Sequence, residues 1–234
     1  MLNIAIYESN MAAAQDGALM LSSKMFQLIE LKDTIRVPAS FFNIPLDQAI
    51  ADQLNRKMAN RVIIDVGLGI TLFDILSVNE SFIYQGDSGT HTKVHFRFLV
   101  FRPFIGEVLV GKLRSCSREG VHVSLGFFDD IIIPPYCLPE PSRFDEKEQV
   151  WIWEYDNCGE KSNLFMDIGE TVRFKVKEEV FTDTSPPGPT STNQDIYQPS
   201  GSVDKPATER QRRIPYLIKG SFEESGLGLV SWWK

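Results

Sequence analysis

The sequence predicts an α+β chain: strands around one helix, followed by a small β-barrel. Three observations carry that prediction. Between Phe26 and Phe101, strand patterns stand on both sides of one helical stretch, PLDQAIADQLNRKMAN. From Pro103 to Pro135, PFIGEVLVGKLRSCSREGVHVSLGFFDDIIIPP reads as three short strands with turn residues between them. Two further strand patterns, VWIWEY and ETVRFKVKEEVF, follow. Strands, helix and strands in that order mean an α+β unit. Short curled strands with a glycine, Gly120, ahead of the second suit a Greek-key barrel of the oligonucleotide-binding (OB) kind.

Each element has its own warrant. Residues 1–24 are mildly apolar and interrupted by Glu8 and Asp16, with Lys24 as the one basic residue, which argues against a secretory or transit segment. They are expected to lie outside the fold. Phe26 to Val37 alternates and is closed by Pro38. Pro45 opens the helix, where a prolyl ring is tolerated in the first turn. Leu46, Ile50, Leu54 and Met58 recur every four residues as an apolar stripe, and Asn60 is the stop. Asp47 near the start and Arg56 and Lys57 near the end suit the helix dipole.

Arg61–Val66 and Gly69–Ile75 read as strands around a turn at Gly67, and Gly86-Asp87-Ser88-Gly89 as a tight loop. Lys93 to Phe101 then alternates with Val94, Phe96, Phe98 and Val100 on one face and His95, Arg97, Leu99 and Phe101 on the other. Both faces are partly apolar, as for a strand covered by a helix or by a second domain. The boundary falls at Arg102-Pro103, giving a first domain over 25–102 and a barrel over 103–234.

In the barrel, the first strand alternates around Ile105, Val108 and Val110, the second around Val121, Val123 and Leu125, and the third is Ile131-Ile132-Ile133. From Thr182 to Arg213 proline, serine and threonine dominate, which predicts a disordered loop. IPYLIKGSF and the terminal GLGLVSWWK bring apolar residues back, as a last strand returning to the barrel.

A net charge of −7 over 234 residues limits any nucleic-acid contact to something local, weak or helped by a partner. Cys116, Cys137 and Cys158 are odd in number and far apart, which supports neither a disulfide framework nor a zinc site. No apolar run approaches the length of a membrane span, so no membrane contact is expected. His91 and His95 would bind zinc on a helix, but four residues of strand span roughly 13 Å, too far for one ion. Asp129-Asp130 suits a turn better than a catalytic pair, because strand neighbours face opposite sides. No nucleophile elbow or phosphate loop is complete, so no cofactor is expected. A single-strand surface has better support. Lys112, Arg114, Arg118, His122, Phe127 and Phe128 interleave cations with aromatics, the combination that attracts phosphates and stacks bases. Glu107, Glu119, Asp129 and Asp130 offset that charge, and the two phenylalanines could equally be core.

Read in order, MFQLIELKDTIRVP, LDQAIADQLNRKMANRVIIDVGLGITLFDI, QGDSGTHTKVHFRFLVFRPFIGEVLVGKL, GVHVSLGFFDDIIIPP, FDEKEQVWIWEY and GLGLVSWW resemble the larger stalk subunit of RNA polymerase III. That family has counterparts in the other nuclear polymerases and in the archaeal enzyme. The resemblance implies a truncated ribonucleoprotein-like first domain and an OB barrel, and a non-catalytic nuclear subunit that binds. It implies a heterodimer with a small helical stalk subunit, docking on the polymerase III core, and contacts with initiation factors and nascent single-stranded RNA during synthesis of small non-coding RNAs such as tRNA and 5S rRNA. Docking would fall on Gly67, Gly86, Asp87, Ser88 and Gly89, with Leu99 and Phe101 among the surface a partner covers. Two other readings are a free-standing RNA-binding protein of translation or decay and a hydrolase without a visible site.

Overall fold

A single helix organises the first layer of the computed structural model, which describes residues 3–5, 25–157, 160–184 and 214–233. Strands β1 (Asn3–Ala5), β2 (Phe26–Val37), β3 (Val62–Ile63), β4 (Gly67–Ile83) and β5 (Thr90–Phe101) form an antiparallel sheet in the order β1-β2-β5-β4-β3. Helix α1 (Leu46–Met58) lies on it and buries Ala49, Ile50, Leu54 and Met58 against Ile29 and Leu31 of β2 and Val94, Phe96, Phe98 and Val100 of β5. Each such aliphatic side chain contributes roughly 1.5–3 kcal/mol on burial. Leu46, the first residue of the expected stripe, is instead exposed, and Ala49 takes a place on the buried face. Asn60 ends the segment at φ +56°, a left-handed conformation that asparagine tolerates.

Two differences from the expected elements have local causes. The expectation that residues 1–24 lie outside the fold needs correction at Asn3–Ala5, whose backbone pairs with Lys32, Leu31 and Glu30 and extends the sheet edge. Strand β4 runs to Ile83, well past Ile75, and its register against β5 shifts at four places. Each shift inserts an unpaired residue and breaks the two-residue period, which is why alternation fades before the strand ends.

The second half closes a barrel. Strands β6 (Val108–Ser117), β7 (Gly120–Ser124), β8 (Ile131–Ile133), β12 (Thr171–Phe181) and β13 (Tyr216–Ser221) pair in the order β13-β8-β7-β6-β12, and β12 pairs back onto β13. Between β8 and β12 stands a separate meander of β9 (Ser142–Asp145), β10 (Val150–Asn157) and β11 (Glu160–Phe165). It is anchored by Trp151, whose indole Nε1 donates to the Ser117 carbonyl at 2.9 Å. The inward set on β6 is Leu109 and Leu113, so the expected alternation around Ile105, Val108 and Val110 marks the outer, exposed face. Gly120 has φ +143°, and a Cβ there would stand 2.2 Å from the Ile133 carbonyl oxygen, so the second strand starts where only glycine fits.

Beyond β12, the Thr182 amide donates to the Pro215 carbonyl at 2.9 Å, joining the two ends of the segment between β12 and β13. Most of the expected disordered loop, residues 185–213, lies outside the described residues. The C-terminus returns to the barrel as a two-residue strand, β14 (Gly228–Leu229), paired with β12, and a 3-10 turn over Val230–Trp233.

Candidate docking tip and nucleic-acid face

The loop after β4 is held by one carboxylate. Asp87 accepts from Arg36 Nε at 2.8 Å and Nη2 at 2.5 Å, pairs with His91 Nε2 at 2.8 Å, and accepts from the Gly89 amide at 3.0 Å. The Arg36 hydrogen bonds, then those of His91 and Gly89, hold this carboxyl well below the usual carboxylate range. Gly89 is pressed against β2, where a Cβ would meet the Val37 carbonyl oxygen at 2.9 Å. The loop therefore carries a fixed shape at the end of a long hairpin. Immediately before it, Phe82, Ile83 and Tyr84 are all exposed, Ile83 by 67%. Sequence reasoning missed these three, although an apolar triplet running straight into Gln85-Gly86 was the available signal. His91 and His95 pair with separate carboxylates, Asp87 and Glu30.

Gly67 does not belong to this tip. It opens β4, and Leu68 pairs with Phe101 while Ile83 pairs with Thr90, so Gly67 and the loop occupy opposite ends of the hairpin. The twelve residues of β5 put those ends up to about 36 Å apart. Gly67 has φ +131°, and a Cβ would lie 2.6 Å from the Phe101 carbonyl oxygen. It belongs to the junction between sheet and barrel.

That junction also claims the aromatic pair expected to stack on RNA. Phe128 is 5% exposed and packs on Phe101 at 5.1 Å and Tyr216 at 5.4 Å between ring centroids. Phe127 is half exposed but already meets Phe26 at 5.8 Å and Phe101 at 5.0 Å. Phe128 therefore offers no face to a base, and the expectation is corrected: consecutive phenylalanines after the second barrel strand seal the first sheet onto the barrel. Phe101 is fully buried here, so the barrel, not a partner, covers it. Beside it, Arg102 reaches Glu179 through Nε at 3.1 Å and Nη2 at 2.5 Å, and donates from Nη1 to the Asp65 carbonyl at 2.8 Å. Phe181, under the guanidinium, stacks on Tyr216 at 4.5 Å, and burial raises the Tyr216 phenol well above its ordinary range.

The remaining cations stay on the barrel's outer surface. Lys112 and Arg114 project from β6, and His122 from the adjoining β7 with its Nε2 3.4 Å from Ser117 Oγ. Arg114 meets Asp129 at 2.7 Å, and Arg118 meets Glu146 at 2.6 Å. Exposed pairs of this kind are worth about 0–1 kcal/mol, so a phosphate can displace the carboxylate. The structure adds Arg173 of β12: Thr171 pairs with Lys112 and Arg173 with Val110, which sets Lys112 and Arg173 diagonally on one face. The period of two in ETVRFKVKEEVF was the signal for it. Each phosphate held on a single strand adds a slope of about −0.7 in log affinity against log salt. Reversing Lys112 and Arg173 together to glutamate is expected to remove most of the salt dependence of RNA binding by the full chain in its soluble complex, measured by filter binding at several salt concentrations. Unchanged affinity and slope would make these residues a solvated face.

Comparison with known proteins agrees with this architecture. Residues 107–233 match the family model described as RNA polymerase III subunit Rpc25, and residues 32–89 match the SHS2 domain found in N terminus of Rpb7p/Rpc25p/MJ0397. The fold is thus an SHS2 domain followed by an OB-like barrel. The chain is 51% identical over 209 residues to the DNA-directed RNA polymerase III subunit RPC8 of Bos taurus, covering 89% of this chain and 98% of that one. It is 37% identical over 215 residues to the RPC8 subunit of Saccharomyces cerevisiae, covering 90% of this chain and all of that one. A more distant relative, the DNA-directed RNA polymerase subunit Rpo7 of Sulfolobus acidocaldarius, is 28% identical over 64% of this chain and 78% of its own. On the extent of these matches, the chain belongs to the RNA polymerase III subunit Rpc25 (RPC8) family.

Proposed function

We propose that this chain is the larger stalk subunit of a nuclear RNA polymerase III and that it works by binding, without a catalytic step of its own. It docks on the polymerase core through the tip of the β4–β5 hairpin and pairs with a small helical stalk subunit. It also receives initiation factors and nascent RNA while tRNA, 5S rRNA and similar small RNAs are made. The observation that carries the reading is the exposed Phe82-Ile83-Tyr84 run beside a loop pinned by Asp87: an apolar patch of fixed shape, placed far from the barrel. Membership of the polymerase III family supports the choice of enzyme.

Surface for the small partner is also available. Among the described residues, β3 pairs only with Leu68 and Gly67, which leaves the outer edge of β4 without a strand from Gly69 onward. Phe73 and Leu76 are exposed along it. An open edge with apolar side chains invites association. The full chain expressed alone is therefore expected to aggregate, and to become soluble when a small helical subunit is co-expressed. A tagged copy should bring that subunit and the polymerase core through purification from cells. A monodisperse chain that brings neither would refute the reading.

A further inference from the structure

Neither the docking tip nor the basic barrel face uses a cavity of about 400 Å³ between the β9–β11 meander and the C-terminal turn. Its size lies within the roughly 300–1,000 Å³ of ordinary ligand pockets. Trp153 and Tyr155 of β10 and Trp232 and Trp233 of the terminal 3-10 turn line it. Trp153 stands 5.2 Å from Trp232 at 47° and 5.0 Å from Tyr155 at 62°, an angled corner of rings and not a closed stack. Tyr155 and Trp233 remain exposed.

The same cavity is lined by two carboxylates, Glu223 and Glu224. Glu224 meets Lys175 at 2.5 Å and Glu223 meets Lys177 at 3.1 Å, yet neither lysine lines the cavity. These pairs are largely exposed and weakly held. Weak pairing leaves both carboxylates able to attract a second cation from the cavity side by charge alone, without needing an N–H donor on it. Aromatic faces attract cations through their quadrupole, and carboxylates attract them by charge. An anion or a nucleic-acid phosphate is repelled by the same glutamates, and a purely apolar ligand gains nothing from them.

We propose that this cavity recognises the alkylammonium head of a lysine side chain on a partner protein, bound more tightly when its nitrogen is methylated. Methylation spreads the charge and weakens its hydration, so entering an aromatic corner costs less water. The proposal stands on this cavity alone and depends on neither the docking nor the RNA reading.

The test uses the full chain in soluble form, co-purified with its small subunit, and three short peptides that differ at one residue: trimethyl-lysine, lysine, or the neutral carbon isostere of trimethyl-lysine. Binding is read from tryptophan fluorescence and from the indole signals in NMR spectra. Trimethyl-lysine is expected to bind about tenfold more tightly than the neutral isostere, with lysine between them. Tyr155→Leu keeps apolar area but removes a π face, and should narrow the gap between charged and neutral peptides several-fold. E224Q should weaken the charged peptides and leave the neutral one unchanged. The proposal is overturned if the isostere binds as tightly as trimethyl-lysine, if lysine outranks trimethyl-lysine, or if none of the three moves an indole signal at about 1 mM.

Discussion

Phe101→Ala is expected to cost about 3–5 kcal/mol, the range for truncating a fully buried phenylalanine, and to split one unfolding transition into two. Phe101 is 0% exposed, at the end of β5, and touches the rings of Phe26, Phe127 and Phe128. It is the residue of the first sheet that enters the barrel's apolar cluster together with Leu68. Its removal opens a cavity at the seam itself and leaves Leu68, the contact of Phe26 with Phe127 and the Arg102 bonds to Glu179 and the Asp65 carbonyl to hold the two halves. Urea unfolding of the soluble complex, followed by hydrogen exchange of peptides from α1 for the first sheet and from β12 for the barrel, reads both effects. All four tryptophans of the chain, Trp151, Trp153, Trp232 and Trp233, belong to the barrel half, so peptides containing them report on the barrel alone. A single transition displaced by less than about 1 kcal/mol would show that the ring is dispensable and that the polar latch carries the junction.

Aspartate at both Phe82 and Ile83 is expected to release the chain from the polymerase core while leaving its own fold intact. Both side chains are more than half exposed, so the variant loses little packing within the chain. Covering each in an interface is worth roughly 1.5–3 kcal/mol, and about 1.4 kcal/mol is a factor of ten in affinity. Two buried, unpaired carboxylates add a further cost. Tyr84 is left in place because its ring contacts His91 edge-on at 4.7 Å and helps shape the loop. Gel filtration of polymerase assembled with the variant gives the answer. The variant should elute with the small stalk subunit, apart from the core. Co-elution with the full-size enzyme would move the docking surface elsewhere.

Local pattern made most of the architecture legible. The β2 alternation, the α1 stripe and the β5 faces depend on neighbours two or four residues apart, and those were read with small errors such as Leu46. The far half of β4 was not legible, because register shifts destroy the period that a sequence reading relies on. Strands β9 and β11, SRFD and EKSNLF, are too short and polar to announce themselves. The site was read less well, and for a different reason. Lys112 and Arg114 were found because they lie on one strand, whereas Arg173 is brought beside Lys112 only by the pairing of β6 with β12. Phe127 and Phe128 carry the same letters whether they stack on bases or seal a seam. Their assignment depends on Phe26, Phe101 and Tyr216, residues that chain order alone does not place near them.

The hydrogen bond from Thr182 to Pro215 gives the barrel a natural port for engineering. The strands on either side are fixed by their own register, Phe181 with Tyr216 and Val180 with Leu217. A flexible insert between those anchors leaves their separation unchanged and costs about 0.6 kcal/mol of closure entropy for each doubling of loop length. A fluorophore, an affinity tag or a protease site inserted there would report on the assembled enzyme while β12 and β13 keep the barrel shut.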